Sequence, residues 1–259
     1  MEYILRQNFE NINYDDFYNK GYQIIPDVLN EKAINQFKEK LINVYNKQLV
    51  DFDVEQIKEI GEQNTVRSPF LYDKDFYSIF YNSFTKQVVE DILGTYAILS
   101  LQNGIIIDEF QKHHQSFYHR DLIHQEFTSS RPLAINIYYC LTDYFKSNGG
   151  TSFIPFSHKV SKMPMTYKAE TPEVEAGSVI LFDSMTYHKA GVNKTHKKRF
   201  GINTMYTLPF IKQQINYPFA LGQKTTDQKL NRLLGFESKE FLNVNNFRQY
   251  RLDRNLIEK

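Results

Sequence analysis

One cysteine in 259 residues leaves no partner for an intramolecular disulfide, so the fold must rest on its core and the chain suits a reducing compartment. That residue, Cys140, reads as a small buried hydrophobe rather than a reactive thiol. Long apolar runs are missing as well. No stretch approaches the roughly 20 residues that a membrane span needs, and Met1 to Asn8 lacks the basic segment and apolar stretch of a secretory signal. The expected location is therefore cytoplasmic. Charge of one sign is not in excess: 31 basic and 30 acidic residues give a formal net charge of +1, too little to gather nucleic acid or anionic lipid by a global field. The 11 glycines and 8 prolines are scattered as turns, with no low-complexity linker and no internal repeat.

What remains is enough apolar material for one sizeable core, 41% of the chain, and a length that suits a barrel or sandwich with helical additions. Residues 1–259 are read as a single domain. Asn30 is placed to cap a helix whose apolar positions Ile34, Phe37, Leu41, Val44 and Tyr45 recur at separations of three and four. Residues 54 to 92 read as helical or irregular, and Gly94 marks the passage to strands. Tyr96 to Ile107 and Leu133 to Leu141 read as extended, the second with strict alternation. Short strands separated by turn signals predict a β-sandwich or barrel.

The chemistry gathers around His119-Arg120-Asp121. In an extended segment residues i and i+2 project from one side, so His119 and Asp121 reach one ion while Arg120 points away. His188 lies far enough on for the chain to pass through several strands and return, and it follows the strand-like run Ser178 to Phe182. Two imidazoles and a carboxylate on one face of a metal form the ligand set of non-haem Fe(II) oxygenases. Arg199 opens another strand-like run, in which it shares a face with Gly201, Asn203 and Met205. Its planar fork suits a bidentate grip on a carboxylate.

The ordered set of His119-x-Asp121, Asn148 to Lys159 (NGGTSFIPFSHK), Ala176 to Phe182 (AGSVILF), His188, Asn193 and Arg199 resembles the phytanoyl-CoA dioxygenase family of Fe(II)/2-oxoglutarate oxygenases, over about residues 15–210. The resemblance implies a mainly β fold with helical additions: a double-stranded β-helix, or cupin-like jelly roll, packed by N-terminal helices. It implies Fe(II) held by His119, Asp121 and His188, 2-oxoglutarate with its distal carboxylate on Arg199, and O2 as the oxidant. The expected reaction is hydroxylation of a C–H bond in a small-molecule or carrier-bound metabolite, with release of succinate and CO2. Asp121 argues against halogenation, for which related enzymes give up the carboxylate, whereas desaturation, epimerisation and cyclisation stay open. One departure is visible: the family's Pro-Gly-Ser-His turn reads Pro155-Phe156-Ser157-His158, and phenylalanine enters positive φ less cheaply than glycine. That bears on the loop's shape and on access for substrate.

Lesser roles are assigned by position. Gln102 and Asn136, polar residues on core strands, are candidates for the cosubstrate's inner carboxylate, as is Thr151. His124 lies in a stretch that is expected to cross the metal and meet substrate. His113 and His114 are read as surface or loop-wall residues, because adjacent strand residues point opposite ways; His158 is read as structural and His196 as solvated. The segment from 212 to 259 is expected to dock on the body or at a subunit contact, through Leu230, Leu233, Leu234 and Phe236 and then Phe241, Leu242, Phe247 and Tyr250. The alternative from another class is a jelly-roll metal- or ligand-binding protein without turnover, which has no need for an arginine at 199. The sequence leaves oligomeric state and substrate identity open.

Overall fold

The computed structural model describes residues 12–257 except 64, 123–125 and 239. The expectation for His124 lies outside the described residues. The chain runs through α1 (Asp15–Lys20), β1 (Tyr22–Ile25), α2 (Glu31–Asp51), α3 (Val54–Glu59), β2 (Thr65–Arg67), α4 (Tyr77–Phe80) and α5 (Ser83–Leu93). Then follow β3 (Ile98–Ile107), β4 (Ala134–Cys140), β5 (Ser152–Phe153), β6 (Val179–Asp183), β7 (His188–Lys189) and β8 (Arg199–Thr207). The last elements are α6 (Tyr217–Leu221), α7 (Gln228–Leu233) and α8 (Val244–Ile257).

Six strands form one sheet in the order β1-β6-β4-β8-β3-β2, paired antiparallel throughout. Facing it is a short second sheet, β5-β7, prolonged by single bridges such as His119↔His188, Tyr144↔Val174 and Asn148↔Asn193. This is the double-stranded β-helix that was expected, with one long wall and one fragmentary wall.

Both faces of the long sheet are covered, which is why its strands are apolar on both sides. β4 is buried at every position. Ile135, Ile137, Tyr139, Leu181 and Ile202 pack outward on Phe37, Leu41, Phe76, Phe80 and Phe84 from the helical layer. Ile105, Ile107, Tyr138, Cys140 and Phe182 face inward on Tyr144 and Phe153. The helix that sequence periodicity predicts is α2: Asn30 Oδ1 accepts from the Ala33 N–H at 2.9 Å, and Ile34, Phe37, Leu41 and Val44 are buried. A Cβ at Gly104 would lie 2.2 Å from Leu41 Cδ2, so the missing side chain lets α2 close on the sheet.

The turn with the unexpected phenylalanine keeps a left-handed residue at its second position. Phe156 has φ +66°, where an L-residue pays about 1–2 kcal/mol, and its N–H donates to Lys20 O at 2.8 Å. The loop therefore holds the backbone that glycine would adopt. At the C-terminal end, Leu234 and Phe236 join the core and Leu230 and Leu233 pack against it, as expected for docking. The second apolar group does not dock in that way. Phe241 meets the Phe247 ring edge-on and the Tyr250 ring at a tilt, and Leu242 is 94% exposed.

Candidate metal centre

His119 and His188 pair through two backbone hydrogen bonds of 3.0 Å, N–H to carbonyl in both directions. This places their rings side by side, with centroids 4.5 Å apart. Asp121, two residues along, is fixed by its own N–H to Ser184 O at 3.0 Å. His119 Nε2 and His188 Nε2 each lie 3.6 Å from Asp121 Oδ1, and one ligand atom from each of the three residues lies within 4.8 Å of the others.

The imidazole tautomers follow from the other ring nitrogens. His119 Nδ1 donates to Phe117 O and His188 Nδ1 to Thr186 O, both at 2.9 Å, which leaves the Nε2 lone pairs facing the carboxylate. His119 Nε2 and Asp121 Oδ2 are buried with no hydrogen-bond partner. Buried polar atoms normally have one, so the donor set and its orphaned atoms fit a metal ion. Burial pushes the Asp121 carboxyl up, but the charge of His188, the contact with His119 and the Asn136 amide outweigh it and hold the group below its ordinary range. For His119, burial is outweighed by Asp121 and the pKa is raised; for His188 burial prevails and it is lowered.

The triad opens on a cavity of about 330 Å³ that is also lined by Ile105, Tyr138, Phe182, Asn203 and Arg199. Arg199 is 2% exposed, yet its Nε and Nη1 have no hydrogen-bond partner among the described residues. Its guanidinium lies over the Tyr144 ring, and Tyr138 and Tyr144 share a hydrogen bond of 2.8 Å beside it. The room for this comes from Gly201: a Cβ there would fall 2.3 Å from the Tyr144 hydroxyl and 2.5 Å from the Tyr138 ring. A buried cation with open donors is a site for an anion.

Three lesser expectations change. Gln102 does not face the cavity: it lies on the opposite face of β3 from Leu101, Asn103 and Ile105, and its Nε2 donates to Phe76 O at 3.1 Å in the helical layer. On a strand buried on both faces, polarity alone does not reveal the side. Asn136 sits behind the triad instead of at a cosubstrate position, its Nδ2 donating to Ser184 Oγ at 2.8 Å and its Oδ1 accepting from Asn203 at 2.9 Å. His113 is not a surface residue. It is 2% exposed, and both it and His114 line the cavity, because the chain turns so that Gln115 N–H donates to His113 Nδ1 at 3.1 Å. Burial pushes the His113 pKa down to about 2, so this imidazole stays neutral.

The remaining residues named from the sequence are placed as follows. Thr151 lines the cavity. Asn193 ties the loop before β8 by donating to Asp108 O and Lys197 O. His158 meets Tyr18 O at 3.2 Å, away from the triad, and His196 is exposed. Sequence reasoning missed Arg67 and Asn103 in the cavity wall. Arg67 grips Glu62 with two donors, and Asn103 Oδ1, in the amide orientation that satisfies both partners, accepts from Arg67 Nη1 at 2.9 Å. Only the register of β2 on β3 brings them together.

Comparison with known proteins agrees with this geometry. A protein of Mycobacterium tuberculosis, "Uncharacterized protein Rv1501", is 30% identical over 239 residues, covering 88% of each chain. "Dioxygenase FUM3" of Gibberella moniliformis is 30% identical over 113 residues, 40% of this chain and 37% of its own. Among solved structures, EctD from S. alaskensis with bound Fe superposes with a TM-score of 0.62 at 18% identity, over 75% of each chain. The epimerase SnoN from nogalamycin biosynthesis gives 0.57 at 18%, over 74% of this chain and 79% of its own. These two likenesses speak to the fold. The sequence matches the family described as "Phytanoyl-CoA dioxygenase (PhyH)" across residues 17–201, which hold the triad and Arg199 alike, and the chain belongs to that family.

Proposed function

We propose that this protein is an Fe(II)- and 2-oxoglutarate-dependent dioxygenase that oxidises a C–H bond of a small-molecule or carrier-bound metabolite, by default to an alcohol, with release of succinate and CO2. The observation that carries the reading is the sharing of one cavity by the His119, Asp121 and His188 cluster and a buried Arg199 with two unpartnered donors. A protein that bound a metal without turnover would have no use for that arginine.

In this reading His119 Nε2, Asp121 and His188 Nε2 hold the iron, and the bound ion supplies the redox chemistry with O2. Arg199 grips the distal carboxylate of 2-oxoglutarate, and Tyr138 and Tyr144 keep that grip dry. Burial raises both phenol pKa values, so they remain neutral donors beside it. Thr151 stands on the cavity wall as a further contact for the cosubstrate. Ile105 and Phe182 exclude water from the space between arginine and triad. The SnoN and SnoK structures are described as an epimerase and a carbocyclase, so placement of the substrate, rather than the fold, selects among hydroxylation, epimerisation and ring formation. A cytoplasmic setting suits a lone, unpaired cysteine.

The test is anaerobic addition of 2-oxoglutarate to the Fe(II)-loaded protein, followed by exposure to O2 and assay for succinate. A metal-to-ligand absorption band and iron-dependent succinate are expected. Absence of both sinks the assignment.

A further inference from the structure

The residue between the two metal-binding positions of the His-x-Asp segment is a buried arginine whose described hydrogen bonds join the segments around the metal centre. Arg120 is 7% exposed. Its Nε donates to Met185 O at 2.8 Å, its Nη1 to Ser161 O at 3.0 Å, and its Nη2 to Ser157 O at 2.8 Å and also to Val160 O. The guanidinium lies 4.3 Å from the centre of the Tyr187 ring. One planar fork thus ties three stretches of backbone: its own, between His119 and Asp121; the 185–187 stretch that leads into His188; and the turn at 157–161. The tie is closed on the far side, where Tyr187 N–H donates to Ser157 Oγ at 2.8 Å and Ile154 N–H to Tyr187 O at 2.8 Å.

We propose that Arg120 is a positioning residue that sets the separation of the two halves of the metal-binding triad. The inference rests on the reading of His119, Asp121 and His188 as metal ligands. Two physical points support it. First, among the described residues the two ligand-bearing segments are joined at the triad by the bridge at His119 and His188 and the Asp121 to Ser184 bond, and further along by Ala190 N–H donating to Gln115 O and Asn193 N–H to Gln111 O, both at 2.9 Å. These bonds fix a register but form isolated bridges rather than a continuous ladder, so the segments hinge more easily than the paired strands of a sheet. A side chain anchored at residue 120 and fastened to residues 157, 160, 161 and 185 resists that hinge. Secondly, the 157–161 turn follows Phe156, whose left-handed backbone is unfavourable for an L-residue. Among the described residues, three of the four carbonyls that accept from Arg120 belong to this turn, so the arginine keeps the turn closed under the ligand segment.

A lysine cannot reproduce this. It offers one point of attachment, whereas the fork reaches carbonyls on two segments at once.

The experiment compares the full-length parent, Arg120→Lys, Arg120→Gln and the control Val44→Ala, a cavity mutation in α2, where Val44 is 1% exposed. Each is loaded with Co(II) as a spectroscopic stand-in for Fe(II). Co(II) affinity is read by calorimetry, ligand geometry by the visible d–d spectrum, and the fold by circular dichroism and Tm. Outer partners of metal ligands typically alter affinity about 10–100-fold. Arg120→Gln is expected to lose affinity in that range with a changed d–d spectrum, and Arg120→Lys to recover part of both. Val44→Ala should lower Tm while leaving spectrum and affinity at parent values. Should Arg120→Gln fail to fold, Arg120→Lys carries the same two readouts. Folded arginine variants with the parent's spectrum and affinity overturn the role of Arg120 and leave the metal reading intact. A parent that binds no Co(II) overturns both.

Discussion

The guanidinium of Arg199 lies 4.3 Å from the centre of the Tyr144 ring, in the wall of the cavity that the triad opens on. Stacking satisfies the arginine's face and leaves its edge, with Nε and Nη1, for an anion. Truncating one partner of a buried charge pair costs about 2–5 kcal/mol, and about 1.4 kcal/mol is tenfold in affinity. Arg199→Ala should therefore weaken 2-oxoglutarate binding by about 30-fold or more while Fe(II) affinity barely changes. Arg199→Lys should restore part of the loss. Titration of the anaerobic Fe(II) protein, followed through the absorption band, measures both; equal affinity in parent and Arg199→Ala would remove the arginine from the site.

Replacing His119, Asp121 or His188 by alanine should sharply reduce Fe(II) binding and leave a folded domain, as calorimetry and circular dichroism can check. Metal binding should also weaken in acid, because an imidazole must shed its proton to ligate. The raised pKa of His119, set by Asp121 against the opposing effect of burial, makes this competition begin above the ordinary histidine range near 6.5. Below that point affinity should fall about tenfold per pH unit for the one proton displaced. A flat profile between pH 5 and 8 would exclude His119 as a ligand.

How far the sequence could be read depended on distance along the chain. His119 and Asp121 share a face at i and i+2, and Arg199 shares one with Gly201 and Asn203, so period-two reasoning sufficed for these. His188 follows from the length of chain after Asp121, the strand-like run before it and the family pattern, whereas its pairing with His119 is a tertiary fact. Gln102 defeated the reading because β3 is buried on both faces, and alternation of polarity then carries no sign. His113 defeated it because a turn at Gln115 breaks the alternation that was assumed. Arg67 and Asn103 gave no local signal at all; they meet across the edge of the long sheet, in a register that no short stretch encodes.

Phe156→Gly should stabilise the protein slightly. The left-handed backbone costs an L-residue about 1–2 kcal/mol, whereas glycine adds roughly 0.5–1 kcal/mol of unfolded-state entropy to be overcome. The ring is 47% exposed, so little burial is lost. A net gain of about 0.5–1 kcal/mol follows, readable as a rise in Tm. A fall in Tm would show that the ring has a packing role which outweighs the relief of its backbone.

Asp183, at the end of β6, is 5% exposed, and burial pushes its pKa up to about 6, against the opposing effects of the Met185 N–H and Arg120. A carboxyl with a folded pKa above its unfolded value stabilises most when both states are protonated, below about pH 4. That contribution is lost as pH rises through about 6. Asp183→Asn keeps an acceptor for Met185 N–H and carries no charge. It should raise stability at neutral pH by up to about 3 kcal/mol and flatten the slope of denaturant-derived stability between pH 4 and 6. An unchanged slope would mean that Asp183 is solvated.

The solitary Cys140 sits on β4 between β6 and β8, fully buried, with its thiol pKa pushed up by that burial. A thiol reagent cannot reach it, and the sulfur is not in its nucleophilic form, until the middle of the long sheet comes apart. Modification of this one atom therefore clocks the opening of the strand that also carries Asn136 and Tyr138. Bound iron and 2-oxoglutarate should slow that clock, so mass spectrometry of a single labelled site reports the occupancy of a cavity the label never enters.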